Sequence, residues 1–441
     1  MRIAFISANR EQLPDPVVPL GVLYMMSVAG EAHDKTLIDL CFEDEPLAAL
    51  AARLDEFRPE LVAISMRNVQ NADYTDTTGI LAYYDDILRV VRAHTAAPVV
   101  MGGGGFSVIP HELMARFGLD YGITGEGERA FAELVARLAA GSRDTGGIHN
   151  LLGGSGTVVA AGLNRRDFLD ITQNVLPDRR WVDPRYYQHS GITSVQTKRG
   201  CAMQCDYCTY PLIEGRAIRQ RVGDVVAAEW EAAIGAHPAI DHVFIVDSVF
   251  NLPPHHAREV CEALIARNLK TPWTCYLNPV RFDQALADVM ARAGCAGVEI
   301  GSDSGTDEGL LRLRKGFTTE KIRQTARICR AAGIKDCHTF ILGTRGETLA
   351  DVERSLSFIE EIDPYGAILM AYKDDREAVD PELASRAGEF RSRVLEAIER
   401  RAAPRSRWVV PSLGLRFNGR LFGALRRAGL RGPLWQHAPA Q

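Results

Sequence analysis

Cys201-Ala202-Met203-Gln204-Cys205-Asp206-Tyr207-Cys208 is the stretch on which the fold of this chain turns. Three thiols fall within this one segment, while Cys41, Cys261, Cys275, Cys295, Cys329 and Cys337 are scattered singly. Three thiolates in a short loop can wrap a soft-metal centre, and their spacing differs from the paired Cys-x-x-Cys hooks of structural zinc. A cubane iron–sulfur cluster has four irons, so three protein ligands leave one iron open to a small molecule. A simple electron carrier ordinarily supplies four cysteines, which favours an enzyme over a redox shuttle.

The surroundings agree with a reducing compartment. The chain opens on the strand-like Met1-Arg2-Ile3-Ala4-Phe5-Ile6 instead of a basic and then apolar signal, and it has no run of about 18 uncharged apolar residues. A cytoplasmic protein is expected, with no disulfide framework and no membrane segment. With 51 Lys+Arg against 56 Asp+Glu and a net charge of −5, it lacks the basic excess of a general nucleic-acid binder.

Moving outward from the cysteines, an apolar strand at Ile192–Thr197 precedes them. Further strands are expected at His242–Asp247, Trp273–Leu277, Gly297–Gly301, His338–Leu342 and Ile368–Tyr372, each followed by a helical stretch. Six such units predict a partial (β/α)6 barrel, too short for the eight-stranded form at roughly 250 residues. Toward the N-terminus, Arg2–Ser7, Leu61–Ser65, Pro98–Met101 and Asp120–Thr124 alternate with helical patterns such as Glu126–Leu138. That alternation predicts an α/β domain, a Rossmann-like doubly wound parallel sheet with its ligand at the carboxyl ends of the strands.

The expected division is 1–142 for the first domain, 143–190 for a linker with a short hairpin, 191–385 for the barrel and 386–441 for a basic helical extension. After Glu399 no acidic side chain remains, while Arg400, Arg401, Arg405, Arg407, Arg416, Arg420, Arg426, Arg427 and Arg431 accumulate. A helix packed on the barrel with its arginines in solvent is preferred to a membrane-surface helix.

Cys-x-x-x-Cys-x-aromatic-Cys after the first strand of a βα barrel, with Tyr207 at the aromatic position, resembles the radical S-adenosylmethionine (SAM) superfamily. The flanks fit in order: Thr197-Lys198-Arg199-Gly200 before the cysteines, Val246-Asp247-Ser248-Val249-Phe250-Asn251, Gly297-Val298-Glu299-Ile300-Gly301-Ser302-Asp303-Ser304, and Gly343-Thr344-Arg345-Gly346-Glu347-Thr348. The resemblance implies a 4Fe-4S cluster on Cys201, Cys205 and Cys208 whose open iron chelates SAM. Reductive cleavage then gives methionine and a 5′-deoxyadenosyl radical. It also implies that Tyr207 lies beside SAM, that Asp247 and Ser248 receive the methionine end, and that Glu299 and Ser302 lie near the ribose and carboxylate. A reductase, ferredoxin or flavodoxin would supply the electron.

The first domain resembles the cobalamin-binding modules that precede the barrel in one class of these enzymes. Its landmarks are Pro16-Val17-Val18-Pro19-Leu20-Gly21, Ser65, Gly102-Gly103-Gly104-Gly105 and Gly125-Glu126-Gly127-Glu128. Glycines at such turns allow positive φ and close approach of a flat ligand. Many of these modules carry Asp-x-His-x-x-Gly, whose imidazole ligates cobalt from below. Here Asp39-Leu40-Cys41-Phe42-Glu43-Asp44 stands instead, so Cys41 marks the missing histidine. A Ser-x-Leu motif is replaced by Ser65-Met66-Arg67, and Arg67 at the lower face would exclude a ligand without supplying a lone pair. The resemblance therefore implies cobalamin held by Cys41, Ser65, Arg67, Gly102, Gly103, Gly125 and Glu126.

The expected activity is cobalamin-dependent methylation of an unactivated carbon in a small metabolite of a secondary, natural-product pathway. The alternative is a non-methylating radical enzyme, performing dehydration, epimerisation, cyclisation or rearrangement, whose B12-type domain is structural or empty. Cys275, Tyr276, Cys337, Tyr372 and Tyr210 are strand-end candidates for handling a hydrogen atom. The stretch with Arg179, Arg180, Trp181 and Tyr186, the Tyr210–Arg216 segment and the arginine-rich tail are expected to line or cover the site.

Overall fold

Consecutive fully buried residues, Ile3, Ala4, Phe5 and Ile6 in the first strand, are possible only where helices cover both faces of a sheet. The computed structural model, which describes residues 1–12, 15–70, 79–153, 175–411 and 419–437, has two such sheets. The first contains β1 (Arg2–Ser7), β2 (Asp34–Asp39), β3 (Leu61–Ser65), β4 (Val99–Gly102), β5 (Tyr121–Ile123) and β6 (Leu151–Gly153), in the order β2-β1-β3-β4-β5-β6. All neighbours run parallel except β6, which is antiparallel to β5. Helices Leu20–Val28 and Glu128–Ala139 cover one face through Val22, Met26, Phe131 and Leu134. Pro46–Phe57, Ile80–His94 and Pro110–Phe117 cover the other through Leu50, Ile87, Leu88 and Leu113. This is the doubly wound arrangement expected, with the strand order reversing between β1 and β3, where such sheets bind ligands.

Two departures have simple causes. β2 carries Asp34, Lys35, Thr36 and Asp39 on a sheet edge, so it offers no apolar run to recognise. β6 falls where a linker with a hairpin is expected; within the described residues, this part of the linker instead extends the first sheet, and the remainder of the expected linker between 154 and 174 lies outside them.

The second sheet is wholly parallel and built in sequence. Its strands are β7 (Ile192–Val195), β10 (His242–Ile245), β11 (Trp273–Leu277), β12 (Cys295–Asp303), β13 (Lys335–Leu342), β14 (Gly366–Ala371) and β15 (Trp408–Val409). A two-stranded ribbon, β8 (Lys198–Arg199) with β9 (Arg219–Gln220), stands apart from it. β7 and β15 are the two unpaired edges, so the barrel is open. The short β15 is one strand more than the six expected, and it comes from the basic extension. Helices Gly223–Gly235, Pro254–Ala266, Gln284–Arg292, Thr319–Ala332 and Leu349–Ile362 follow the successive strands and pack on their outer face.

The extension does pack on the barrel, its helix Pro381–Ala402 lying against Leu349–Ile362. Several of its arginines, however, are tied to acidic side chains, while Arg400 and Arg427 stay exposed. Arg401 pairs with Glu360 at 2.8 Å, Arg407 with Asp363 at 2.6 Å and Arg431 with Asp241 at 2.5 Å. Arg426 pairs with Asp15 of the first domain. Arg416 lies outside the described residues. Among the described residues no helix is long and apolar enough to cross a membrane.

Candidate functional site

The carboxyl ends of the first sheet face the cysteine-bearing end of the barrel, and a cavity of about 280 Å³ lies where they meet. The first domain lines it with Leu20, Gly21, Tyr24, Ser65, Gly102, Gly103, Gly125 and Glu126, and the barrel with Gln196, Arg199, Ile213 and Glu214. Its polar rim is a buried ion-pair network between the domains. Arg199 Nη1 donates to Glu128 Oε1 at 2.6 Å and lies 3.3 Å from Glu126, with its guanidinium over the Tyr24 ring at 4.9 Å. Arg219 Nη1 donates to Glu126 Oε2 at 2.9 Å. Glu214 accepts from Gln196 Nε2 at 2.9 Å and from the Gly200 amide at 3.0 Å. Burial pushes the Glu214 carboxyl up to about 7, against the opposing charge of Arg199.

The same network holds the base of the cysteine loop. β8 and β9 close it, the Cys201 amide donates to the Gly215 carbonyl at 3.1 Å, and Arg216 donates to the Met203 carbonyl at 2.6 Å. Cys201, Cys205 and Cys208 are all half-buried. Beneath them sits Lys315, only 4% exposed, paired with Asp303 and donating to the Tyr207 hydroxyl at 3.1 Å. Tyr207 in turn bonds Asp303. Burial pushes the Cys208 thiol up to about 11 and raises that of Cys205, while the Lys315 charge opposes both shifts. A nearby cation is what favours the thiolate form that ligates metal. Among the described residues no group of three His, Cys, Asp or Glu is placed to hold a metal ion. Three thiols spread along a loop suit a cluster that presents a separate iron to each.

Several expected site residues have other work. Asp247 is wholly buried, and its carboxylate accepts from the Thr197 amide at 2.7 Å, the Lys198 amide at 3.1 Å and the Lys198 ammonium at 2.9 Å. With its oxygens so occupied, it frames the loop and is not free to receive a ligand. Ser302 is also fully buried, bonded to His338 Nδ1 at 2.7 Å, and His338 Nε2 lies 3.2 Å from Asp336. This Ser–His–Asp line, sealed from solvent, ties β12 to β13. Glu299 lies in mid-strand on the inner face of β12, where it accepts from Trp435 Nε1 of the C-terminal segment at 2.9 Å. That position is deeper than the strand end where a SAM contact is expected. Ser248 stays half-buried near the loop, its hydroxyl 3.3 Å from the Gly200 carbonyl.

In the first domain, Ser65, Gly102, Gly103, Gly125 and Glu126 all line the cavity. Gly103 has φ 108° and Gly125 φ 69°, as expected for such turns. The requirement at Gly103 and Gly105 is nevertheless chain against chain: a Cβ at either would collide with the backbone of Met66 or Asn68. Cys41 is not at the cavity. It is fully buried under Tyr186 and Tyr187 of helix Pro184–Ser190, and burial pushes its thiol up to about 11. Tyr186 also donates to Asp39 at 2.9 Å, so the segment expected to cover the site instead struts the edge of the first sheet. Arg179 is turned away as well, donating to Ser194 and Glu229. Arg67 is exposed and lines a second cavity, on the first domain, with Asn9, Asn68 and Tyr84; it is not among the residues lining the cavity between the domains. Cys275 and Cys337 are fully buried, leaving Tyr210, Tyr276 and the half-buried Tyr372 as the accessible members of the strand-end set. Ile213 and Glu214 of the Tyr210–Arg216 segment do line the cavity, whereas Lys315 and Trp435 carried no recognisable signal and acquire their places only through the fold.

The radical SAM superfamily profile matches residues 195–359, and the B12-binding-domain profile matches residues 6–135, together more than half of the chain. The chain belongs to the radical SAM superfamily, in the class that carries a B12-binding domain ahead of the barrel. Among proteins of this kind it is 28% identical over 427 residues to a tryptophan 2-C-methyltransferase of Streptomyces laurentii, covering 82% of this chain and 70% of that one. It is 26% identical over 349 residues to an uncharacterized methyltransferase of Pyrococcus horikoshii, covering 78% of this chain and 73% of that one. The structure of the radical SAM methyltransferase TsrM from Kitasatospora setae, with cobalamin and a [4Fe-4S] cluster bound, superposes with a TM-score of 0.71 at 26% identity, covering 84% of this chain and 72% of that one. A second structure of that protein holds tryptophan and a SAM analogue.

Proposed function

We propose that this chain is a cobalamin-dependent radical SAM methyltransferase acting on a small metabolite, and that the metabolite is aromatic. The observation that carries the proposal is the cavity that Ser65, Gly102, Gly103 and Glu126 of the first domain share with Gln196, Arg199 and Glu214 at the base of the cysteine loop. Aromaticity rests on the tryptophan named for two relatives and on Tyr276 and Phe244, whose rings meet edge to face at 5.1 Å on the inner side of the barrel.

Bound here, the cluster and SAM would supply radical chemistry, and cobalamin would carry the methyl group. Cys201, Cys205 and Cys208 hold the cluster, with Lys315 as the cation that favours their thiolates. Tyr207 and Ser248 flank SAM, while Asp247 and Lys198 fix the strand ends from which the loop springs. Ser65, Gly102, Gly103, Gly125 and Glu126 line the cobalamin pocket. Arg67 would stand toward the lower side of a bound corrin, where its side chain has no lone pair to donate. An external ferredoxin, flavodoxin or reductase provides the electron.

Anaerobic reconstitution with iron and sulfide, followed by SAM and reductant with and without methylcobalamin, tests the proposal. Corrinoid retained through desalting, with S-adenosylhomocysteine formed beside 5′-deoxyadenosine, is the expected result. A folded protein that takes up no corrinoid would sink it. Cys205→Ala should abolish both the iron–sulfur absorbance and SAM cleavage; survival of both would show that the cluster has other ligands. Arg67→His should alter the cobalt spectrum, since it places an imidazole on the lower face, and an unchanged spectrum would remove Arg67 from that face.

A further inference from the structure

Among the described residues, Glu299 is a half-buried acid with no cation paired to it. Val298 and Ile300, its neighbours on β12, are wholly buried on the helix side, so Glu299 points into the barrel. One oxygen accepts from Trp435 Nε1 at 2.9 Å, and among the described residues its other oxygen has no hydrogen-bond partner and no ion pair reaches it. Enclosure by protein pushes the carboxyl up to about 7, with only the Trp435 bond opposing. A carboxylate partly withdrawn from water without a counter-charge is penalised, and a cation arriving from outside would offset that penalty.

The inner face of the barrel beside it is reached by solvent, since Glu299 and Gly301 are both only half-buried. Gly301 is the next residue on the same face toward the cysteine loop, and having no side chain it leaves that face clear between Glu299 and the Lys315–Asp303–Tyr207 group, whose Lys315 Nζ would lie 3.5 Å from a Cβ there. Tyr276, paired in register with Glu299, is 38% exposed, and its hydroxyl has no hydrogen-bond partner among the described residues. Phe244 meets the Tyr276 ring at 5.1 Å to give an aromatic wall. The floor is the C-terminal segment Leu434–His437: Trp435 and Gln436 pack where a Cβ on Gly297 would stand, and the Gln436 carbonyl accepts from Lys335 at 3.0 Å and from the Tyr365 hydroxyl at 2.8 Å.

We infer that the barrel interior above Trp435 is the substrate chamber, that Glu299 is its recognition element, and that it takes a flat aromatic molecule bearing an ammonium group. Trp435 acts as a positioning residue, fixing one oxygen so that the other faces the ligand. The use of the chamber for methylation rests on the proposed function; its selectivity does not.

The test is calorimetric titration of the cluster- and cobalamin-loaded enzyme with tryptamine and with tryptophol, which replaces the ammonium by a neutral hydroxyl. Tryptamine is expected to bind at least about tenfold tighter, a difference typical of a desolvated charge pair. Glu299→Gln, which preserves shape and can still accept from Trp435, is expected to erase that preference by weakening tryptamine alone. Equal affinities for the two probes in the wild type would overturn the inference whether or not the variant folds. So would a preference that survives Glu299→Gln. Formation of S-adenosylhomocysteine is measured in parallel. Tryptamine selection through Glu299 without methyl transfer would support the chamber and retire the methyltransferase reading; methyl transfer with no charge selection would do the reverse.

Discussion

At the scale of single residues, the polar groups that hold this site together are mostly buried, and their worth depends on what they leave behind when removed. Lys198 is 2% exposed, and among the described residues its ammonium donates to the Asp247 carboxylate at 2.9 Å and the Phe250 carbonyl at 2.8 Å. Asp247→Asn would strand that charge, and breaking a buried pair in this way typically costs about 3–5 kcal/mol. Urea unfolding should show a loss of that order, with cluster incorporation falling in step. Glu299 predicts a pH effect of definite sign. Its ordinary value is 4.5 and its folded value about 7, with burial the main cause. Below pH 4.5 the group is protonated in both states. Between about 4.5 and 7 the unfolded chain ionises first, so stability falls as pH rises through that window. Tyr276 and Cys337 share this field and stay neutral there, their own ionisation being pushed well upward by burial. Glu299→Gln should therefore gain thermal stability relative to wild type at pH 8 and not at pH 4; equal shifts at both would contradict the assignment. Asp247 and Glu299 were legible as polar residues at or near strand ends. Their roles were not, because sequence gives a residue's depth along a strand but not which neighbouring strand or tail consumes its hydrogen bonds.

At the scale of elements, legibility followed burial. Strands with two covered faces, such as β3 and β4, announce themselves as apolar runs. The edge strand β2 and the two-residue β15 do not, since only one neighbour and part of one face enforce them. The cysteine loop was legible because its function constrains consecutive residues. The C-terminal floor was not, because Trp435 and Gln436 matter through contacts with Gly297, Lys335, Tyr365 and Gly366, all distant in sequence. That arrangement makes two expectations. Trp435→Ala removes a side chain 6% exposed and should cost about 3–5 kcal/mol, as for other large-to-small changes in packed sites. Gly297→Ala attacks the same contact from the barrel side, where its new methyl would stand 2.7 Å from both Trp435 and Gln436. Limited proteolysis should then clip the C-terminal segment of the Gly297→Ala protein under conditions that leave wild type intact, and equal resistance would mean that the segment is held from elsewhere.

At the scale of the whole molecule, the cofactors of the proposed reaction would be carried by different domains, so the relative placement of the domains is itself part of the site. The surface arginine pairs of the tail contribute little to that placement, since exposed pairs are worth about 0–1 kcal/mol and are screened by salt. The network at the cavity differs in kind. Arg199 is 6% exposed, Glu126 5% and Glu128 4%, so salt cannot screen it and neither domain could bury its share of the charge alone. The network also bears directly on the cysteine loop, because Arg199 belongs to β8 at its base and donates to Gln196, which donates to Glu214, the acceptor for the Gly200 amide. Arg199→Ala would leave Glu126 with Arg219 but Glu128 without its partner, in an interface otherwise braced by Tyr186 on Asp39 and Arg426 on Asp15. The domains should then separate thermodynamically before either unfolds. Scanning calorimetry is expected to resolve two transitions where wild type has one, and corrinoid retention after desalting should fall although no residue in direct reach of the lower corrin face has changed. Retention at the wild-type level, with one transition, would instead assign the fixing of the domains to the Tyr186 and Arg426 braces and leave the buried network to shape the cysteine loop alone.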